Sequence, residues 1–497
     1  MNRREFMRSS AALGTASLWT GMGGAKPTVS TGDRPNILLV VSEDNGPELS
    51  CYGEPCVRTP HLDRLAAEGV RFTNAYVAQA GCSPSRAAFL TGLYPHQNGQ
   101  IGLATWHFQM YRDDGDNVVR RLSSEGYRTG IIGKLHVNPE SAFPFHFKRF
   151  PSANFGRKNL DQYAPAAAEF MEQGSEPFFL SINYPDAHRP FHRQIDGLPE
   201  TLIDPKDVKP LSYMGLDSPT LRKDTAGLYN CMARLDGLVG KLLASLEASG
   251  KADNTLVFYI GDHGADILRG KRTSYEGGVR IPMIARWPDR IGQGQIRHEL
   301  VSTVDLFPTF LDAVGAKSKN SLPGRSLLSL MRGETKDWRK HLFTEFHVHS
   351  AHNYYPQRTV RDDRFKLIQN LLPGEVNPGY DFTIQKFLSF EEMEEALDKS
   401  SHEVRAAYSA MRTPPLFELY DLRNDPYEFR NLAGDPEYGE ILEKLRKALM
   451  TWRRKTNDPF LDDDNVRRLK EEIEATRRDG KYAKRESPWG YVDYMAP

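Results

Sequence analysis

Four short apolar runs recur along the chain, and each stops at a charged pair. Asn36 to Val41 precedes Glu43 and Asp44, and Gly130 to Ile132 precedes Lys134 and His136. Phe178 to Ile182 leads to Asp186 and His188, and Thr255 to Ile260 leads to Asp262 and His263. Continuous apolar runs bounded by Gly, Pro or Asn, with helical patterns between them, predict buried parallel strands of an α/β sheet. Ligands of such sheets bind beyond the carboxyl ends of the strands, so the four charged clusters are expected to converge on one site.

The intervening segments carry helical spacing. Thr59 is expected to cap a helix with Pro60 at its first position, ending before Gly69. Leu228, Met232, Leu235, Val239, Leu242 and Leu246 form a stripe at spacings of four and three, which predicts core packing. STVDLFPTFLDAVG, residues 302 to 315, predicts a third, structural helix. From residue 324 to 338 the chain turns polar. Beyond it LFTEFHVHS, RFKLIQNL and LFELYDL read as three strands, followed by a helix with Leu442, Leu445, Leu449 and Trp452 on one face. Residues 372 to 414 look helical and are placed to wall a pocket. The stretch from Val466 to Glu486 is dense in both signs of charge and reads as an exposed helix or tail.

Charge and length narrow the function. Lys plus Arg equals Asp plus Glu, 65 each, in 497 residues, so no global field recruits nucleic acid or an anionic membrane. Anion binding must be local. The start, MNRREFMRSSAALGTASLWTGMGGAKP, joins Arg3 and Arg4 to a mildly apolar stretch and then small residues, which predicts a twin-arginine export signal and linker over residues 1 to 30, cleaved near Ala25. The stretch is too short and too rich in Gly, Ser and Thr for the ~20 residues of a membrane span. Export to the periplasm or outside the cell follows. Of the four cysteines, Cys51 and Cys56 are one candidate disulfide, and Cys231 falls on a helical pattern that buries it.

The run GCSPSRAAFLTG, residues 81 to 92, carries the chemistry. It places Cys82 just ahead of a helix, with Pro84 in the first turn, Arg86 one turn in and Gly92 closing the far end. A helix start has unpartnered N–H groups and partial positive charge, so it holds anions and lowers the pKa of a thiol.

C-x-P-S-R followed by Thr91 and Gly92 resembles the signature of type I sulfatases, in which the cysteine becomes formylglycine. Some phosphonate monoester and phosphodiester hydrolases share it. RPNILLVVSEDNG, GKLH, DAHRPF, GDHG and GKRTSYEGG resemble further sulfatase blocks in sulfatase order. HQNGQIGL, FFLSINYPDAHRPF, FKLIQNL, LYDLRNDPYEFRNLAGDP and TWRRKTNDPF resemble the N-sulfoglucosamine sulfohydrolase branch. The resemblance implies an alkaline-phosphatase-like sulfatase fold: an α/β catalytic domain over 31 to 335 with a large, mostly parallel central sheet flanked by helices, and a smaller α+β domain with an antiparallel sheet over 336 to 497. It implies an N-sulfated or O-sulfated amino sugar as substrate. A formylglycine-generating or anaerobic sulfatase-maturating enzyme is the implied partner, and a homodimer is left open.

The same resemblance assigns roles. One Ca²⁺ would be held by Glu43, Asp44, Asp262, His263 and position 82, and hard carboxylates do select Ca²⁺ or Mg²⁺. Glu43 and His263 stand where the family usually has Asp and Asn. Arg86, Lys134 and Lys271 would stabilise the departing sulfuryl oxygens. His136 would orient or deprotonate the nucleophile, and His188 would protonate the leaving group. One hydroxyl of the hydrated aldehyde at position 82 would attack sulfur, and the other would expel sulfate. Arg189, His347, His349, His352 and Arg358 line a sugar subsite or belong to a solvated loop, and the pattern leaves both open. Rival readings are an O-sulfatase of another polysaccharide, a phosphonate monoester or phosphodiester hydrolase, and a non-catalytic glycan-binding relative.

Overall fold

The computed structural model describes residues 34–335, 337–478 and 489–496, and the expected export signal lies outside them. Nine strands form the large sheet: β1 (Asn36–Ser42), β2 (Val70–Tyr76), β3 (Arg128–Gly133), β4 (Phe147–Arg149), β5 (Phe178–Tyr184), β6 (Thr255–Gly261), β7 (Arg280–Arg286), β8 (Gln295–Arg297) and β9 (Val301–Ser302). Their order is β4-β3-β5-β1-β6-β7-β2-β8, with β9 pairing β2. The four runs read from the sequence are therefore neighbours, β3-β5-β1-β6, and all three of their pairings are parallel. In register, Ser42 pairs with Tyr184 and Gly261, and Gly133 pairs with Asn183, so their carboxyl ends open on one side.

These strands read as unbroken apolar runs because both faces are covered. Leu38 and Val40 of β1 join one core with Leu228, Met232, Leu235, Val239 and Leu242 of the Pro219–Ala248 helix. Ile37, Leu39 and Val41 join the opposite core with Leu306, Phe307 and Phe310 of the Leu306–Ala313 helix. Both helices are structural, as their patterns indicated.

Thr59 holds the N-cap position of the Pro60–Ala67 helix with Pro60 next, as expected, but its side chain caps no backbone N–H of the helix. Its hydroxyl bonds Ser50 and Asp63, while Asp236 of the long helix accepts from the backbone N–H of Leu62 at 2.8 Å and His61 at 3.2 Å. The cap thus comes from a residue distant in sequence. The Cys51–Cys56 bridge is also absent, and all four cysteines are free. Burial, with Asp63 alongside, pushes the Cys51 thiol up to about 12, which keeps it protonated and inert.

The second sheet is antiparallel, in the order β10 (Leu342–Phe346), β11 (Gln357–Arg361), β12 (Phe365–Asn370), β13 (Phe417–Asp421). Strand β11 was not expected, because QRTVR lacks the apolar alternation of a half-buried strand. All five of its residues are nevertheless buried. Arg358 is paired with Asp458, and Arg361 with Glu276, which offsets part of the cost of burying their charges. The Gly439–Lys455 helix packs Leu445, Leu449 and Trp452 against Val360, Leu367 and Leu419. Residues 372 to 414 hold three helices, Pro378–Phe387, Phe390–Asp398 and His402–Arg412. The charged Asp463–Arg478 helix is not a free tail, since Val466, Leu469 and Ile473 are buried with Trp489 and Tyr491. Among the described residues no helix is long and apolar enough to cross a membrane.

Candidate active site

Cys82 is the first residue of the Cys82–Thr91 helix, whose ten residues are all buried. Gly81 before it is extended. Gly92 after it takes φ +70°, a left-handed C-cap that a side chain would strain. The helix start therefore presents the thiol at the carboxyl ends of the central strands.

The four strand-end clusters meet there. Sγ of Cys82 lies 3.2 Å from Nζ of Lys271, 3.4 Å from Nε2 of His263 and 3.7 Å from Oε1 of Glu43. Lys134 Nζ donates to Glu43, and Lys271 Nζ donates to both oxygens of Asp44 at 2.8 and 3.1 Å. Arg86 donates from Nε and Nη2 to Asp262 Oδ2 at 3.2 and 3.0 Å, and from Nη1 to Asn183 and to the Lys134 carbonyl. The other Asp262 oxygen accepts from the backbone N–H of Asp44. Arg86 and Asp262 thus tie β6, β5 and the β3 loop to the Cys82 helix. Close backbone contact makes this possible. At Gly133, with φ +86°, a Cβ would stand 2.2 Å from the Asn183 carbonyl oxygen, so the turn that delivers Lys134 requires glycine.

The charges set the protonation states. Burial alone would raise the Cys82 thiol, but Lys134, Lys271 and His263 pull it well below its ordinary range. Burial and the nearby Lys134 lower His136 to about 4, so it is a neutral imidazole at pH 7. Both its ring nitrogens are buried without a hydrogen-bond partner. Burial opposes charge on His263, yet Asp262 and Asp44 drive it up to about 9, and a cation bound at Nε2 would displace that proton. Burial also opposes charge on Glu43, and the Lys134 ammonium overcomes it and holds the carboxyl below its usual range.

The acids fit a hard dication. Donor atoms of Glu43, Asp44, Cys82 and His188 lie within 4.8 Å of one another, as do those of Cys82, Asp262 and His263. Oε2 of Glu43 is buried and has no hydrogen-bond partner, an acceptor aimed at a missing positive charge. His263 donates from Nδ1 to the Gly264 carbonyl at 2.9 Å, which turns Nε2 toward the acids, the arrangement found for metal-bound imidazoles.

The remaining expected residues separate into two groups. His188 is beside the site, with Nε2 4.0 Å from Asp44 Oδ2 and Nδ1 donating to the Arg189 carbonyl at 2.6 Å. His349 packs against Gly81, and its buried imidazole interacts with the Cys82 thiol. Burial holds its imidazole well below the ordinary range, neutral beside Cys82. Arg189 adjoins His188, but its guanidinium is paired with Asp224 and lies over Phe387. His352 stacks on Phe382 at 4.9 Å and meets Trp106 edge-on.

His347 and Arg358 are placed elsewhere. His347 uses Nδ1 on Gln79 and Nε2 on Arg358, and Arg358 grips Asp458 through Nε at 2.8 Å and Nη2 at 2.7 Å. Both are completely buried and their polar atoms are consumed, so neither lines a sugar subsite. Asp186 also turns away from the site. Its carboxylate takes the guanidiniums of Arg157 and Arg234, all fully buried, and pins the loop that carries His188. Asn183, Arg157 and Phe155 were not singled out from the sequence. Phe155 lies in a loop without periodicity, and its ring stacks on His188 with centroids 4.3 Å apart.

Comparison with known proteins agrees with this geometry. The sulfatase family model matches residues 35–316, and the model for the C-terminal region of N-sulphoglucosamine sulphohydrolase matches residues 261–407. Human N-sulphoglucosamine sulphohydrolase is 33% identical over 86% of this chain and 91% of its own. An ulvan-active sulfatase of Formosa agariphila is 30% identical over 86% of this chain and 81% of its own. Two solved structures share the fold. A complex with D-glucosamine-2-N,6-O-disulfate has a TM-score of 0.62 at 21% identity, covering 86% of this chain and 98% of the other. The phosphonate monoester hydrolase of Agrobacterium radiobacter has a TM-score of 0.65 at 20% identity, covering 85% and 96%. The chain belongs to the sulfatase family, hydrolases of sulfuric ester or sulfamate bonds.

Proposed function

We propose that the chain is an exported, periplasmic or secreted enzyme that removes sulfate from an amino sugar of a glycosaminoglycan, with N-sulfoglucosamine of heparan sulfate or heparin as substrate. In this reading Cys82 acts after conversion to formylglycine by a maturation enzyme. The observation that carries the proposal is the meeting of Cys82, Lys134, Lys271, His136 and His188 in one largely buried cluster at the strand ends. The match to the N-sulphoglucosamine sulphohydrolase C-terminal model over the pocket-side segment supports the choice of sugar.

Bound by Glu43, Asp44, Asp262 and His263, a Ca²⁺ ion would supply Lewis-acid charge to the sulfuryl oxygens. Lys134 and Lys271, both close enough to position 82 to lower its thiol, add fixed positive charge where negative charge develops. Arg86 holds Asp262 in place. Neutral His136 is able to take a proton from the nucleophile. His188, whose Nδ1–H donates to the Arg189 carbonyl, would deliver the Nε2 proton of its imidazolium form to the departing nitrogen and be left as the neutral Nδ1–H imidazole. An amide anion leaves very poorly, so a sulfamate needs that proton.

The test is sulfate release from N-sulfoglucosamine and from O-sulfated sugars, combined with peptide mass analysis of residue 82. Turnover of the N-sulfated sugar together with an aldehyde mass at residue 82 is expected. No release from any N-sulfated sugar overturns the substrate assignment. The ulvan-active relative favours a second reading, an O-sulfatase of another polysaccharide, which the same panel identifies.

A further inference from the structure

Phe155 combines features that the proposed chemistry does not use. It is 44% exposed, and one face of its ring is stacked on His188 at an interplanar angle of 21°, which sets it apart from the other exposed apolar side chains by its place beside the site. The Lys134 ammonium lies 5.8 Å from the ring centroid. An exposed aromatic beside a catalytic pocket is ordinarily mobile, but this one is splinted.

The splint is built from buried ions. Arg157 donates from Nη1 to the Phe155 carbonyl at 2.9 Å and from Nη2 to the His188 carbonyl, while its Nε binds Asp186 at 2.7 Å. Arg234 holds the same carboxylate and donates to the His192 carbonyl at 2.8 Å. The His192 ring completes the set with Nε2 3.0 Å from the Phe155 carbonyl. One carboxylate and two guanidiniums therefore fix Phe155, His188 and His192 relative to one another. Keeping an apolar ring half in water on such a rigid support costs solvation free energy, which burial against a ligand recovers.

We propose that Phe155 is a substrate-contacting residue: its exposed surface receives the apolar C–H face of the sugar ring that carries the departing nitrogen or oxygen. The proposal deepens the glycan-sulfatase reading and rests on it. A pyranose offers one face of axial C–H groups, and a fixed aromatic plane matches that shape while leaving the hydroxyls wet. The contact lies on the His188 side of the pocket, so it sets the leaving group against the imidazole that protonates it.

The experiment compares Phe155→Ala and Phe155→Tyr with the unaltered enzyme. For N-sulfoglucosamine, Phe155→Ala should raise KM ~10-fold with kcat lowered less than ~3-fold, and a tenfold change corresponds to about 1.4 kcal/mol. Unsulfated glucosamine, as a competitive inhibitor of aryl sulfate turnover, should weaken by a similar factor. Phe155→Tyr should restore both values. If kcat falls while KM and the inhibition constant stay put, Phe155 only positions His188 and the proposal is overturned. Unchanged KM and inhibition also overturn it. Failure of the unaltered enzyme on N-sulfated sugars would instead remove the underlying substrate reading, and the glucosamine inhibition still reports on the sugar contact.

Discussion

Asp186→Asn should unfold the protein far more easily while preserving the shape of the side chain. The carboxylate accepts three charge-assisted hydrogen bonds of 2.7 Å, one from Arg157 Nε and two from Arg234, and all three side chains are fully buried. Asn keeps one acceptor oxygen and points an NH₂ group at a guanidinium. With its oxygen in the Oδ1 place Asn keeps the bonds from Arg157 Nε and Arg234 Nη2 and loses the one from Arg234 Nε, so ~1.5–3 kcal/mol of hydrogen bonding is at stake before the stranded charge is counted. Breaking a buried ion pair from one side costs ~3–5 kcal/mol by an independent route, because it strands charge. We expect a loss of about 4 kcal/mol, a large share of the ~5–15 kcal/mol typical of a folded domain. Urea unfolding followed by tryptophan fluorescence and circular dichroism measures it. Burial opposes charge on Asp186, but Arg234 and Arg157 hold its carboxyl below the ordinary value. A depressed carboxyl contributes stability above its unfolded pKa and loses it as pH falls through the folded one. The substitution should therefore also flatten the acid side of the stability profile below about pH 4. A loss under ~1 kcal/mol would refute the claim that this cluster bears on the fold.

Two further outcomes follow from buried groups elsewhere in the molecule. Burial raises Asp236 to about 6, so between its unfolded value and pH 6 the folded state holds the extra proton and stability declines as pH rises. Asp236→Asn should remove that decline, and thermal melts at pH 4 and pH 6 that shift by the same amount in both proteins would contradict it. His349→Gln should lower kcat ~10- to 100-fold with little change in melting temperature, because its buried imidazole faces the Cys82 thiol. A melting temperature that falls with unchanged kcat would show a packing role instead.

What was legible in the sequence follows from how far each signal reaches. Asn36 to Val41 and Thr255 to Ile260 announce themselves because a strand covered on both faces needs an unbroken apolar run, and the charge after each run marks the strand end. The approach of Glu43, Lys134 and Asp262 to Cys82 then follows from parallel neighbours opening on one side. Pairing across long separations leaves no such trace. Arg358 has the look of a surface residue until Asp458, a hundred positions later, is seen to hold it. His347 has the same history. Asp236 capping a helix that starts at Pro60 and Asp186 facing Arg157 and Arg234 were hidden for the same reason. Phe155 was missed because a single aromatic in a polar loop carries no period at all.

The burial of the Cys82–Thr91 helix fixes an order of events. Cys82 is 2% exposed, and Ser83, Ser85 and Arg86 are at most 1% exposed, so no macromolecular catalyst can grip this segment once the sheet has closed over it. Any enzymatic rewriting of the thiol belongs to the chain's youth, during or just after synthesis. If position 82 is rewritten to formylglycine as proposed, a molecule that folds first would miss that step, and a preparation would hold converted and unconverted copies in proportions decided by that race.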